Sequence, residues 1–158
     1  IATTLLATMS RQHGLAGSTL VHQGRWGDTL WFLVEGEARV FVEADGSEVE
    51  LARVTPGRWV GELQFLEPGP ASANVQATTD YTALLLPCEA LDDLLNASPA
   101  AAAALIRTLL EEMCDRLATT TAGVIERVGA ADFKVTPRAE RRSGVVGWLE
   151  RIFGGKGQ

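Results

Sequence analysis

The chain has 158 residues, of which 46% are hydrophobic and 22% are charged. This is the size and composition of one folded domain, and it excludes an intrinsically disordered chain. Two cysteines, Cys88 and Cys114, exclude a disulfide scaffold and a four-thiolate metal centre, and they indicate a reducing compartment. The formal net charge of −6 argues against nucleic-acid binding by the chain as a whole.

The charge is unevenly distributed along the chain. Residues 1–126 contain 7 Lys and Arg against 17 Asp and Glu, whereas residues 127–158 contain 7 against 3. An acidic body is thus followed by a basic tail. No stretch approaches the roughly 20 apolar residues of a transmembrane helix, and no signal peptide is visible, so we expect a cytoplasmic protein. Because residues 1–9 resemble the end of a helix and begin with Ile1, we expect a fragment of a longer chain.

From residue 20 to residue 86, short apolar runs alternate with turn signals. Four runs have the length and alternation of antiparallel strands, namely residues 30–34, 38–43, 48–54 and 81–86. Asp45-Gly46 is a strong hairpin signal between the second and third runs. Residues 59–77 show no clear period. The pattern predicts an antiparallel, mainly β unit.

Helical patterns follow Pro87. Residues 89–96 predict a short helix, and Ser98-Pro99 is a typical helix start for a long helix over residues 99–128. The apolar positions of the long helix recur in alternating steps of four and three, a spacing suited to packing on a partner helix. The alternative is that this stripe covers the β unit. The stripe contains Ile106, Leu110, Met113 and Leu117.

The tail combines a basic linker at residues 129–143 with a short amphipathic segment at residues 144–153. This segment could dock on a protein partner, lie on an anionic membrane surface as a peripheral contact, or fold back on the acidic body. We divide the chain into residues 1–98, 99–128 and 129–158. The candidate interaction residues of the tail are Val145, Trp148, Leu149, Ile152 and Phe153.

Signatures of catalysis and metal binding are missing from the sequence. It contains no G-x-S-x-G, no G-x-x-x-x-G-K-[ST] and no dinucleotide-binding glycine motif after a strand. His13 and His22 have no other metal-ligating residue at a useful spacing. Glu111 and Glu112 are neighbours on a helix and point apart, which does not suit acid–base catalysis. We therefore expect neither an enzyme nor a metal site.

One segment does carry chemical information. Residues 60–66 read Val-Gly-Glu-Leu-Gln-Phe-Leu, and residues 70–77 read Pro-Ala-Ser-Ala-Asn-Val-Gln-Ala. A glycine turn that leads into a short helix exposes unpaired backbone N–H groups, which suit a phosphate. A buried Glu62 could accept a hydrogen bond from a sugar hydroxyl. The alternative is that Gly61 and the prolines only turn the chain, with Glu62 in solvent.

Two glycine-containing motifs, in this order, resemble those of the cyclic nucleotide-binding domain family, which includes catabolite-activator regulators, protein kinase A regulatory subunits and gated channels. The first is residues 22–36, His-Gln-Gly-x-x-Gly-Asp-x-Leu-Trp-Phe-Leu-Val-Glu-Gly. The second, Thr-Pro-Gly at 55–57 followed by Val-Gly-Glu-Leu at 60–63, is similar to the phosphate-binding cassette. The resemblance covers about residues 1–128. It implies an antiparallel β-roll, jelly-roll-like, with flanking helices, in which residues 99–128 form the C-helix.

The resemblance also implies a ligand, cAMP or cGMP, and the residues that would bind it. Gly61 and Leu63 would offer backbone contacts to the cyclic phosphate and ribose, and Glu62 would bind the ribose 2′-hydroxyl. Ser72 matches a phosphate contact, and two C-helix threonines match residues that touch the purine. The whole candidate pocket is Gly61, Glu62, Leu63, Ala71, Ser72, Ala73, Thr120 and Thr121.

One departure from the family pattern is serious. The cassette has an arginine directly after its proline to pair with the cyclic phosphate, and here that residue is Ala71, nine residues beyond Glu62. A contact of this type is worth about 1.5–3 kcal/mol, so its loss weakens binding by about 10–150-fold. Arg53 and Arg58 are the nearby candidates to replace it. Asn74 also stands where Thr or Ser is usual.

These observations predict a non-enzymatic regulatory or interaction module that does not bind cAMP in the usual way. It would act through its C-helix and tail on a protein partner or on a second copy of itself. The alternative is a functional cyclic-nucleotide sensor that regulates a larger transporter, channel or assembly. DNA binding is not expected, because the 30 residues after Val128 are too few for a helix-turn-helix domain.

Overall fold

The computed structural model describes residues 2–128. The predicted strands are confirmed to within a residue or two, and the two predicted helices after Pro87 are present. The tail residues Val145, Trp148, Leu149, Ile152 and Phe153 lie outside the described residues, and the division into three parts stays a prediction.

The elements in chain order are α1 (Ala2–Ala7), β1 (Ser10–Gly14), β2 (Thr19–Val21), β3 (Thr29–Glu35), β4 (Ala38–Ala44), β5 (Ser47–Val54), β6 (Trp59–Val60), α2 (Glu62–Leu66), β7 (Asn74–Ala77), β8 (Tyr81–Pro87), α3 (Glu89–Ala97) and α4 (Pro99–Val128).

The strands form two antiparallel sheets of four strands each. One sheet has the order β1-β8-β3-β6 and the other has the order β2-β7-β4-β5. Strands that are far apart in sequence are therefore neighbours, which is how a β-roll closes. The predicted fold class, mainly β with flanking helices and a long C-terminal helix, is confirmed.

The inner strands of the first sheet, β3 and β8, are buried on both faces, and the period of two along β3 decides which side chain goes to which face. Phe32 packs in a core with the helices. Its neighbour Leu33 packs in a second core with the strands of the other sheet. Burial on both faces explains why β3 reads as a nearly continuous apolar run rather than as a clean alternation.

Helix α4 covers the outer face of the first sheet with residues other than the stripe suggested for a partner helix, and the packing of that stripe on a partner stays a prediction. Leu105 and Leu109 are fully buried in the core with β3, β6 and β8. The predicted stripe lies about 100° around the helix. Leu110 is 49% exposed and Leu117 is 69% exposed, so these two side chains do not cover the β unit. In residues 2–128, no helix has the length and apolarity needed to cross a bilayer.

Candidate functional site

The turn between β6 and α2 places Glu62 at the end of the first sheet. Gly61 has φ of +84° and ψ of +15°, the left-handed conformation that glycine adopts without strain. A Cβ atom at this position would lie 2.8 Å from the carbonyl oxygen of Thr29. The close approach of the two backbones therefore requires glycine here. Helix α2 then starts at Glu62, and its first amide groups have no partner within the helix.

The carboxylate of Glu62 is buried and is bound by an arginine from α4. Glu62 is only 6% exposed, which excludes the solvated alternative. The Arg116 side chain donates one hydrogen bond from Nη1 to Glu62 Oε1 and another from Nη2 to the carbonyl oxygen of Trp59. One guanidinium group thus connects the C-helix to both sides of the Gly61 turn. We call Trp59, Glu62, Glu112 and Arg116 the helix clamp.

Glu112 is the fourth member of the helix clamp. Its Oε2 accepts a hydrogen bond from the Trp59 backbone N–H at 3.3 Å and lies 3.7 Å from Arg116 Nη2. Burial raises the pKa of the Glu112 carboxyl above its ordinary value, and the negative charge of Glu62 acts in the same direction. The Trp59 N–H, Arg58 and Arg116 oppose this rise. The sequence pattern marked Glu112 only as one of two carboxylates that point apart.

Position 71 lies on a strand-like segment that pairs with the loop after β2. Ala71 is 5% exposed, and its N–H donates to the Arg25 carbonyl oxygen at 2.8 Å. Its own carbonyl oxygen accepts from the Gly24 N–H, also at 2.8 Å. Asn74 follows on β7 and is buried, and its Oδ1 accepts a hydrogen bond from the Gln23 backbone N–H at 3.0 Å. The backbone of this part of the cassette is therefore ordered even though the arginine is missing.

The structure brings only part of the predicted pocket into contact. Glu62 follows Gly61 directly at the turn, whereas the side chains of Leu63 and Ser72 are exposed and Ala73 is half-buried. The two C-helix threonines, Thr120 and Thr121, are exposed about one turn beyond Arg116. No described contact joins either threonine to Glu62.

The two arginines considered as replacements at position 71 have other surroundings. Arg53 forms an exposed ion pair with Glu50 at 2.9 Å. The charge of Arg58 acts on Glu112.

The sequence pattern did not single out Arg116, although its spacing from Leu105, Leu109 and Glu112 continues the buried stripe of α4 in steps of four and three.

Within residues 2–128, no group of three or more His, Cys, Asp or Glu side chains is arranged to hold a metal ion. The polar groups of the site are instead suited to hydrogen bonding with an organic ligand or with the protein itself.

The two packed sheets, the glycine turn before a short helix with a buried glutamate, and the long C-terminal helix define a β-roll with flanking helices. The family model for the cyclic nucleotide-binding domain matches residues 11–98. The chain therefore belongs to the cyclic nucleotide-binding domain family, as the motifs predicted.

Relatives support this assignment. The cAMP-activated global transcriptional regulator of Salmonella typhimurium is 30% identical over 118 residues, which are 73% of this chain and 52% of the relative. An uncharacterized ABC transporter ATP-binding protein of Mycobacterium bovis is 38% identical over 73 residues, 46% of this chain and 22% of that protein. The crystal structure of the N-terminal domain of a Streptomyces coelicolor transcriptional regulator is 34% identical, with a TM-score of 0.62, and the match covers 78% of this chain and 84% of that one.

The chain spans about half of the length of the transcriptional regulators that it matches.

Proposed function

We propose that this chain is a non-enzymatic regulatory or interaction module whose pocket does not bind a cyclic nucleotide in the family's usual way. The observation that carries the proposal is Ala71. A methyl group stands where the family's phosphate-binding arginine is expected, on a backbone that is hydrogen-bonded in both directions. The position is thus ordered and has no side-chain donor for the equatorial oxygens of a cyclic phosphate.

The charges around Glu62 support the proposal. Arg58 and Arg116 are matched by the carboxylates of Glu62 and Glu112, so the cassette carries no surplus positive charge. Arg116 also donates to the Trp59 carbonyl oxygen. A phosphate monoanion that enters this site would have to compete with two carboxylates for the same guanidinium group. That competition adds to the loss of the arginine at position 71.

The module would contact its partner, or a second copy of itself, through α4. The helix clamp fixes the middle of α4 against the cassette, and the neighbouring stripe carries the exposed side chains of Leu110 and Leu117. Two exposed leucines seven residues apart lie on the same face of the helix, which suits packing on a helix of a protein partner or of a second copy. Membrane contact by the tail is the less favoured alternative, because four basic side chains near ten residues give weak affinity.

The first test is calorimetric titration of the whole chain with cAMP and cGMP, with and without Ala71→Arg. We expect no binding by the unchanged chain at micromolar nucleotide, and at least about tenfold tighter binding by Ala71→Arg. Ala100→Arg is the matched control, because it adds the same charge at an exposed position at the start of α4. Micromolar binding by the unchanged chain, with no gain from Ala71→Arg, would contradict the proposal.

A cyclic-nucleotide sensor is the second candidate function. It is favoured by the Gly61 turn, whose left-handed conformation and close approach to Thr29 keep the backbone of the cassette in place. In a sensor, the bound nucleotide would either displace Arg116 from Glu62 or accept a hydrogen bond from the same guanidinium group. Helix α4 would then move when the ligand binds. The titration separates the two candidates, because a sensor binds before position 71 is changed.

The partner surface of α4 is tested by Leu110→Glu combined with Leu117→Glu. If α4 pairs with a second copy, sedimentation of the unchanged chain shows a dimer. The double variant is then a monomer, because the two new glutamates of each copy would place four charges in one helix–helix interface. Leu95→Glu, at an exposed leucine of α3, is the control and leaves the dimer intact. A monomeric unchanged chain would exclude the second copy and leave a different protein as the partner.

A further inference from the structure

A cavity of about 360 Å³ lies at the end of the β-roll opposite the cassette. It is formed where β1 and β3 end and β8 begins, whereas Gly61 contacts Thr29 at the other end of β3. The seven residues of β3 place these sites about 20 Å apart along the strand. The volume is at the lower end of the range for small-molecule clefts. Its lining residues are His13, Gly14, Leu15, Glu35, Asp80, Tyr81 and Thr82.

A chain of hydrogen bonds fixes two of the polar side chains of the cavity. The buried Thr82 hydroxyl donates to Glu35 Oε2 at 3.1 Å and lies 2.9 Å from His13 Nδ1. Since the hydroxyl has one hydrogen and gives it to Glu35, the imidazole must carry its proton on Nδ1. In the neutral imidazole, Nε2 of His13 is then a hydrogen-bond acceptor.

Asp80 supplies the second carboxylate. Its Oδ1 accepts a hydrogen bond from the Ala16 backbone N–H at 2.9 Å, which fixes the orientation of the side chain. The other oxygens, Glu35 Oε1 and Asp80 Oδ2, have no partner among residues 2–128. Among residues 2–128, no Lys or Arg side chain lines the cavity. The two free carboxylate oxygens are acceptors of opposite charge to a cation, whereas the Tyr81 hydroxyl, which accepts from Gln12 Nε2 at 3.4 Å, still has its O–H to donate.

We infer that this cavity receives the guanidinium group of an arginine side chain presented by a protein partner. A guanidinium has five N–H donors and no acceptor, which complements two carboxylate oxygens and an imidazole nitrogen. It is also more weakly hydrated than an ammonium group, so it loses less on entering a partly enclosed site.

The rim of the cavity favours a peptide over a small free ligand. Leu15 lines the opening and is 70% exposed, so it offers an apolar contact for the residue next to the arginine. This inference is independent of the cassette, because no cavity residue belongs to the helix clamp. It gives the interaction module a second contact surface at the far end of the β-roll.

The inference is tested by NMR titration of the ¹⁵N-labelled whole chain with N-acetyl-arginine methylamide. We expect saturable shifts, at millimolar probe, of the amides of Ala16, Glu35 and Thr82. N-acetyl-citrulline methylamide has the same shape without the charge, and it is expected to leave the chemical shifts of these amides unchanged. Glu35→Gln and Asp80→Asn keep the anchoring hydrogen bonds and should each weaken binding about threefold to tenfold.

Glu37→Gln is the matched control, because it removes a carboxylate two residues from Glu35 that does not line the cavity. It should leave the affinity unchanged. The inference is overturned if the citrulline probe gives the same shifts, if Glu37→Gln weakens binding as much as Glu35→Gln, or if no amide of the cavity shifts. The spectra of the variants also report whether each one is folded, so a loss of binding cannot be confused with unfolding.

Discussion

Arg116→Ala is expected to lower the free energy of unfolding by about 2–3 kcal/mol. The change leaves the buried carboxylate of Glu62 and the carbonyl oxygen of Trp59 without their donor. Breaking a buried ion pair from one side costs about 3–5 kcal/mol, and the partial exposure of Arg116 lowers that figure. Urea denaturation of the two proteins at pH 7 measures the difference.

Two variants show whether the loss comes from the helix clamp. Arg107→Ala removes an arginine of α4 whose contact with Glu111 is exposed and 4.0 Å long, and it should cost less than about 0.5 kcal/mol. Arg116→Ala combined with Glu62→Gln should be more stable than Arg116→Ala alone, because it no longer buries an unpaired charge. Equal stability of Arg116→Ala and Arg107→Ala would show that the Arg116 contacts do not hold α4.

The fold was largely predictable because its signals are local. The Asp45-Gly46 pair predicts the hairpin between β4 and β5. Both residues have positive φ in the structure, as a two-residue hairpin turn of type I′ requires. Residues 59–77 had no clear period because their elements are too short to show one. Strand β6 has two residues and α2 has five. Here the glycine motif and not the periodicity marked the site.

The face of α4 was harder to predict, because two adjacent stripes of the helix are apolar. Leu105 and Leu109 form one, and Leu110 and Leu117 belong to the other. Both stripes repeat in steps of four and three, so the sequence alone does not say which one meets the sheet. The partner of Glu62 was missed for a related reason. An Arg116–Glu62 contact joins residues 54 positions apart, and no local pattern encodes it.

Gly61→Ala is the second change with a large expected effect, about 2–5 kcal/mol of lost stability. Part of this is the left-handed backbone, which costs an L-residue about 1–2 kcal/mol. The rest is the collision of the new Cβ with the Thr29 carbonyl oxygen at 2.8 Å, which forces β3 and β6 apart where Glu62 and Arg116 meet. Thermal or urea unfolding measures the total.

Gly24→Ala separates the two contributions. Gly24 has a similar φ of +75°, but a Cβ at this position would meet nothing within 4 Å. This variant should therefore lose only the backbone part, about 1–2 kcal/mol. The difference between the two variants measures how closely the cassette turn is packed against β3. If both lose the same stability, the turn is not constrained by Thr29, and the geometry that holds Glu62 next to α4 must be set by the contacts of Arg116 and Glu112.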